Sequence, residues 1–128
     1  MNFTKQGAYI HRARQKQEGE LDIVDKFRII KILREQFGLH GLTGEIVMIS
    51  EDKCRCPDIL IKTKLKPIII ELDGLCHGEP QLPTKKTVKR NDDYEEIGIL
   101  NIIINKEETK DYREDLVIEK LKKSLQMI

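Results

Sequence analysis

The chain has 128 residues, 39% of them apolar and 35% charged, with 23 Lys and Arg against 22 Asp and Glu and a formal net charge of +1. That length, without a Gly/Ser linker, fits one domain with a modest core, and the near balance of charge excludes a global basic field, so any nucleic-acid contact must use a local patch. No apolar run approaches the roughly 20 residues that span a bilayer, Met1-Asn2-Phe3-Thr4-Lys5 lacks a signal peptide's apolar segment, and an odd cysteine count (Cys54, Cys56, Cys76) argues against a disulfide scaffold; a cytoplasmic protein with no membrane partner is expected.

Residues 1–18 hold Lys5, His11, Arg12, Arg14 and Lys16 with few apolar anchors, and read as a basic arm or short helix before a single domain over 19–128. From 19 to 37, Leu21, Val24, Phe27, Ile30, Leu33 and Phe37 recur at three- and four-residue steps, the apolar stripe of a helix. Gly38 and Gly41 end it. Strands are expected over 45–50, 55–62 and 67–72, joined by the polar turn Glu51-Asp52-Lys53 and the short turn 63–66. A loop over 74–83 holds two Gly and two Pro. A helix follows over 84–97, with Thr84 as N-cap and Gly98 as stop. Ile99 to Ile104 is apolar enough for a strand buried on both faces, and 111–126 reads as a last helix, with Leu116, Ile118 or Glu119, Leu121 and Leu125 near its stripe. The order is α-β-β-β-α-β-α. A three-strand meander followed by a helical crossover predicts an α/β fold, a mixed four-stranded sheet flanked by helices.

Two of these strands carry acids where a core would exclude them. Pro57-Asp58 opens one, and Ile68-Ile69-Ile70-Glu71-Leu72-Asp73-Gly74 ends the next. An ionised carboxylate costs several kcal/mol to bury unpaired. Strand side chains alternate, so Glu71 and Asp73 share a face while Ile70 and Leu72 point into packing. A hairpin centred on the 63–66 turn sets residue 58 opposite 71 or 72, which brings Asp58 beside Glu71. Close carboxylates repel, and a divalent cation relieves that repulsion. A hard ion such as Mg²⁺ accepts oxygen ligands and can activate a bound water against a phosphoryl group. Taken singly, Pro57-Asp58 and Asp73-Gly74 also read as ordinary turn pairs; it is their juxtaposition that suggests a metal.

His77 follows in the loop, either a solvated surface residue or an acid/base group beside the metal. Lys85, Lys86, Lys89 and Arg90 fall on one face of the 84–97 helix, either a solvated helix end or a phosphate clamp. Cys54 and Cys56 share a strand face, and with Cys76 and His77 they offer four ligands for structural Zn²⁺. Their spacing is not a common zinc signature, and buried free thiols are ordinary small hydrophobes, so zinc is not expected.

With these residues in place, the chain resembles the PD-(D/E)XK nuclease superfamily, and within it the very-short-patch-repair (Vsr-like) endonuclease branch. The resemblance rests on Pro57-Asp58, on Glu71-Leu72-Asp73-Gly74-Leu75-Cys76-His77, and on Arg90 followed by Gly98, and it covers about residues 20–105. It implies a restriction-endonuclease-like fold and an Mg²⁺- or Mn²⁺-dependent endonuclease acting on DNA, in repair, recombination or defence. Asp58 and Glu71 would be metal ligands, helped by the Leu72 carbonyl. Asp73 stands where the wider superfamily keeps a lysine, a departure that the Glu-x-Asp-Gly branch shares, which makes His77 the better candidate for activating water. A carboxylate on the first helix is also implied, from Glu20, Asp22 or Asp25, with Glu20 favoured. Enzymes of this class often act as homodimers to cut both strands. A branched-DNA (Holliday-junction) resolvase, or a non-catalytic nucleic-acid-binding module on the same fold, are the alternatives.

Overall fold

The computed structural model describes residues 23–73 and 85–126. The arm over 1–18, together with Glu20, Asp22, Cys76 and His77, lies outside the described residues. Among the described residues no helix is long and apolar enough to cross a membrane.

Helix α1 spans Ile23–Phe37. It stops at Gly38, which takes φ +66°. Gly38 N–H donates to Arg34 O and Leu39 N–H to Leu33 O, so a left-handed glycine closes the last turn. The helix is rotated relative to the expected stripe. Ile29, Ile32 and Leu33 are buried, whereas Val24 and Phe27 are 58% and 55% exposed. The apolar residues of α1 form two overlapping stripes, and the sheet selects the one through Lys26, Ile29 and Leu33.

A four-stranded mixed sheet forms the centre, in the order β1-β4-β5-β6. Its strands are β1 (Gly41–Leu42), β4 (Ile59–Ile61), β5 (Ile68–Asp73) and β6 (Leu100–Asn105). Between them β2 (Val47–Ser50) and β3 (Lys53–Arg55) make a separate antiparallel pair. The expected three-strand meander is therefore corrected. The segment read as one strand over 55–62 breaks at Cys56-Pro57-Asp58, where proline has no N–H to give a ladder. Its front part joins the 45–50 strand in the outer hairpin, and β1 takes the vacated edge beside β4. Gly41 permits this. A Cβ there would lie 2.7 Å from Ile59 Cγ2 and 3.2 Å from Leu33 Cδ1.

Strands β4 and β5 are antiparallel, with Ile59 opposite Ile70, Leu60 opposite Ile69 and Ile61 opposite Ile68. Their turn is held by Thr63 Oγ1, which donates to Lys66 O and accepts from Leu65 N–H. Helix α2 (Lys85–Glu96) comes between β5 and the parallel strand β6, which pairs Ile68 with Leu100 through to Asp73 with Asn105. Gly98 ends the helical segment at φ +73°.

The sheet divides the core by alternation. Ile59, Ile61, Ile68, Ile70, Leu72, Ile102 and Ile104 pack with α1 and with α3 (Glu114–Leu125). Leu60 and Ile69 face the other way, towards Val47, Tyr94 and Ile99. Helix α3 begins later than its sequence pattern suggests. Lys110, Asp111 and Tyr112 are all left-handed, at φ 49°, 63° and 57°, and Arg28 caps this turn by donating to the Asp111 and Tyr112 carbonyls. Val117 and Leu121 then anchor α3 in the core.

Candidate metal centre

The β4–β5 register continues by one step to Asp58 and Glu71. Both are buried, at 2% and 4% exposure. Asp58 Oδ2 accepts the Leu72 N–H at 2.6 Å, so the acid caps the end of the hairpin ladder that Pro57 interrupts. The two carboxyl groups lie close enough that each shifts the other's ionisation.

Both carboxyls are held above their ordinary range. Burial pushes Asp58 up from its ordinary range, opposed by the Leu72 N–H, the bond to Glu71 and the charges of Lys26 and Arg90. Burial pushes Glu71 well up, and the charge of Asp58 adds to the effect; Arg90 and the Tyr94 hydroxyl oppose it. Like charges in a low-dielectric site do not both ionise at ordinary cost.

Helix α2 supplies the opposing groups. Arg90 and Tyr94 are four residues apart and so lie on one helical face. Arg90 Nη2 donates to Asp73 Oδ1 at 3.1 Å, and Nη1 stands 3.9 Å from Glu71 Oε2. Burial alone would lower the guanidinium's pKa, but Glu71 and Asp73 hold it up. Its Nε is buried and has no hydrogen-bond partner among the described residues. Tyr94, fully buried, donates its hydroxyl to Glu71 Oε1 at 3.2 Å.

This arrangement corrects the expected basic face. Arg90 turns inward onto the acids, while Lys89 is exposed. The backbones of Lys85 and Lys86 lie in the first turn of α2, and their side chains lie outside the described residues. Of the acids considered on the first helix, Asp25 lies within α1 and pairs with Arg28 at 3.6 Å.

Three contributors escape a reading by sequence. Lys26 is buried, and its charge reaches Asp58; the signal for it was a lysine on the stripe with Ile29 and Leu33. Tyr94 was detectable only as the residue four beyond Arg90. Asp93 binds β3 to α2, accepting from Lys53 Nζ at 2.9 Å and from Arg55 Nε and Nη2 at 3.0 and 2.7 Å. Burial works against its charge, yet these two cations hold its carboxyl below the usual range.

The donor set is all oxygen. Among the described residues no three His, Cys, Asp or Glu side chains gather as a metal cluster, and Asp73 is engaged by Arg90. Mg²⁺ is commonly held by one or two carboxylates while keeping waters for a phosphate to replace, so the facing pair fits such an ion. Of the ligands considered for zinc, Cys54 and Cys56 are partly buried, and Cys76 and His77 lie outside the described residues. Compared with protein-family models, with curated proteins and with solved structures, the chain matches none.

Proposed function

We propose that the chain is an Mg²⁺- or Mn²⁺-dependent DNA endonuclease of the restriction-endonuclease-like type. The observation that carries this reading is the buried Asp58–Glu71 pair at the end of the β4–β5 hairpin. Asp58, Glu71 and the Leu72 carbonyl would hold the ion. A divalent ion there lowers the pKa of a bound water and steadies charge on a phosphoryl oxygen. Asp58 and Glu71 would both have to be ionised to serve as ligands. Arg90, tethered between Glu71 and Asp73, keeps positive charge beside the reacting phosphate. His77 assists proton transfer, and Lys85, Lys86 and Lys89 hold the DNA backbone. The protein works in the cytoplasm, and two copies would cut both strands.

The test is cleavage of supercoiled, mismatched, branched and single-stranded DNA with Mg²⁺ or Mn²⁺. Asp58→Ala should lower cleavage about a thousandfold, since losing the ligand forfeits several kcal/mol of transition-state stabilisation. Cleavage that survives this change would point to a contaminant or another site. Selective cutting of four-way junctions would favour the resolvase.

One observation favours a second reading, a nucleic-acid-binding module without catalysis. Asp73, at the position where related nucleases keep a lysine, is neutralised by Arg90. Salt-sensitive DNA binding with no divalent-ion binding by calorimetry would select that reading.

A further inference from the structure

Tyr94 is, with Tyr112, one of the two largest fully buried side chains among the described residues. Its ring belongs to the core, packed with Val47, Leu60, Ile69 and Ile99. Phenylalanine would fill that space equally well. The hydroxyl is what needs explaining, because a buried phenol must find a partner, and here the partner is a carboxylate, Glu71 Oε1, at 3.2 Å.

The position of the ring is fixed from two sides. The α2 backbone closes just beyond it, with Ile99 N–H donating to Tyr94 O and Gly98 N–H to Glu95 O. Across the same turn Asp93 is clamped to Lys53 and Arg55 of β3. The hydroxyl therefore reaches Glu71 from a rigid platform, not from a mobile side chain. A donor on Oε1 restricts rotation of the carboxylate about its last bond. The other oxygen, Oε2, is left on the side of Arg90, 3.9 Å from Nη1.

We infer that Tyr94 is a positioning residue for the metal ligand Glu71. Its hydroxyl ties down Oε1 so that Oε2 is the oxygen offered to a divalent cation. This rests on the metal-binding reading above. The phenol acts by hydrogen bonding alone. No proton leaves it; it donates a hydrogen bond and orients its acceptor, as groups behind metal ligands do.

The test is Mn²⁺ binding to EDTA-stripped wild type and Tyr94→Phe, by calorimetry and by the electron paramagnetic resonance of free Mn²⁺. The expected result is a dissociation constant weakened about 10- to 100-fold in Tyr94→Phe, with metal-free circular dichroism unchanged. Equal affinity in the two proteins would overturn the role of Tyr94 and leave the metal reading standing. A Tyr94→Phe chain that fails to fold, its ring retained, would assign the hydroxyl to stability and overturn the proposal as well. Wild type that binds no Mn²⁺ would instead remove the metal reading on which the proposal rests. Packing alone predicts no change in affinity, so the dissociation constant separates the two roles.

Discussion

Replacing Glu71 by Gln should stabilise the metal-free protein at neutral pH. Glu71 is buried against Asp58, and burial together with that neighbour's charge raises its pKa well above the ordinary carboxylate value. A carboxyl with a raised folded-state pKa adds stability below its unfolded pKa and loses it as pH rises through the folded one. Wild type therefore weakens as the pair is forced to ionise. Gln keeps the shape, still accepts the Tyr94 hydroxyl, and can donate its amide to Asp58. The attraction of Arg90 lost at 3.9 Å and the repulsion of Asp58 relieved are of similar size and opposite sign, and Arg90 retains Asp73 at 3.1 Å. What remains is the cost of burying the charge itself, about 1–2 kcal/mol. For a chain of this size that is a rise of roughly 4–7 °C in Tm. The assay is thermal unfolding followed by circular dichroism, in EDTA, at about pH 4 and about pH 8. The gain should be present at the higher pH and absent at the lower. Adding Mn²⁺ should reverse the order, because binding at a hundred times Kd lifts wild type by about 2.7 kcal/mol and the variant hardly at all. A variant less stable than wild type in EDTA at the higher pH, or a gain that ignores pH, would refute the reasoning.

Gly41→Ala should cost about 1–3 kcal/mol, measured by urea unfolding, because the new Cβ would meet Ile59 Cγ2 at 2.7 Å, with Leu33 Cδ1 and Ile30 Cγ1 at 3.2 and 3.3 Å. Asp93→Asn should cost about 1–3 kcal/mol near neutral pH, as hydrogen bonds between charged groups are lost, with Lys53 and Arg55 partly able to return to water. Here the folded-state pKa is lowered, so the native ion pair contributes above the unfolded value of 3.8 and is lost as pH falls through the folded one; the difference from wild type should close in acid.

The acidic pair was legible because a short turn fixes hairpin register and alternation fixes the face. Asp58, Glu71 and the opposed Ile70 and Leu72 follow from those two rules alone. The helix stops at Gly38 and Gly98 were legible for a similar reason: left-handed backbone favours glycine. The left-handed run Lys110–Tyr112 has no glycine to announce it; Arg28, distant in sequence, holds it through carbonyls that belong to any residue. The edge strand β1 was hidden because two residues carry no periodicity. The detached hairpin was hidden because what draws β3 away is Asp93, far along the chain. At the site, composition placed Arg90 on the right helix but not on the right side. A helical arginine near a loop suggests phosphate, and only the packing of α2 against β5 shows that carboxylates are closer. Tyr94 and Lys26 look like core aromatic and surface cation until the facing strands are known.

The charges around the pair set its cost in the metal-free protein. Asp58, Glu71 and Asp73 bring three acids to one end of β4 and β5, and Arg90 and Lys26 bring two cations to bear on them. With every group ionised the site is one positive charge short, in a place where water cannot make up the difference. Burial is the largest cause of the rise in both carboxyl pKa values, and the charge of Asp58 adds to it for Glu71, so they rise despite the cations beside them. On the function proposed above, a divalent ion would fill that deficit with charge to spare, and the excess is what an approaching phosphate would meet. A fold selected for stability alone would place Leu or Ile at 58 and 71, as it does at 59, 60, 69 and 70. Keeping acids there costs stability at neutral pH, and on the function proposed above the binding of a metal ion is the reason for a chain to carry that cost.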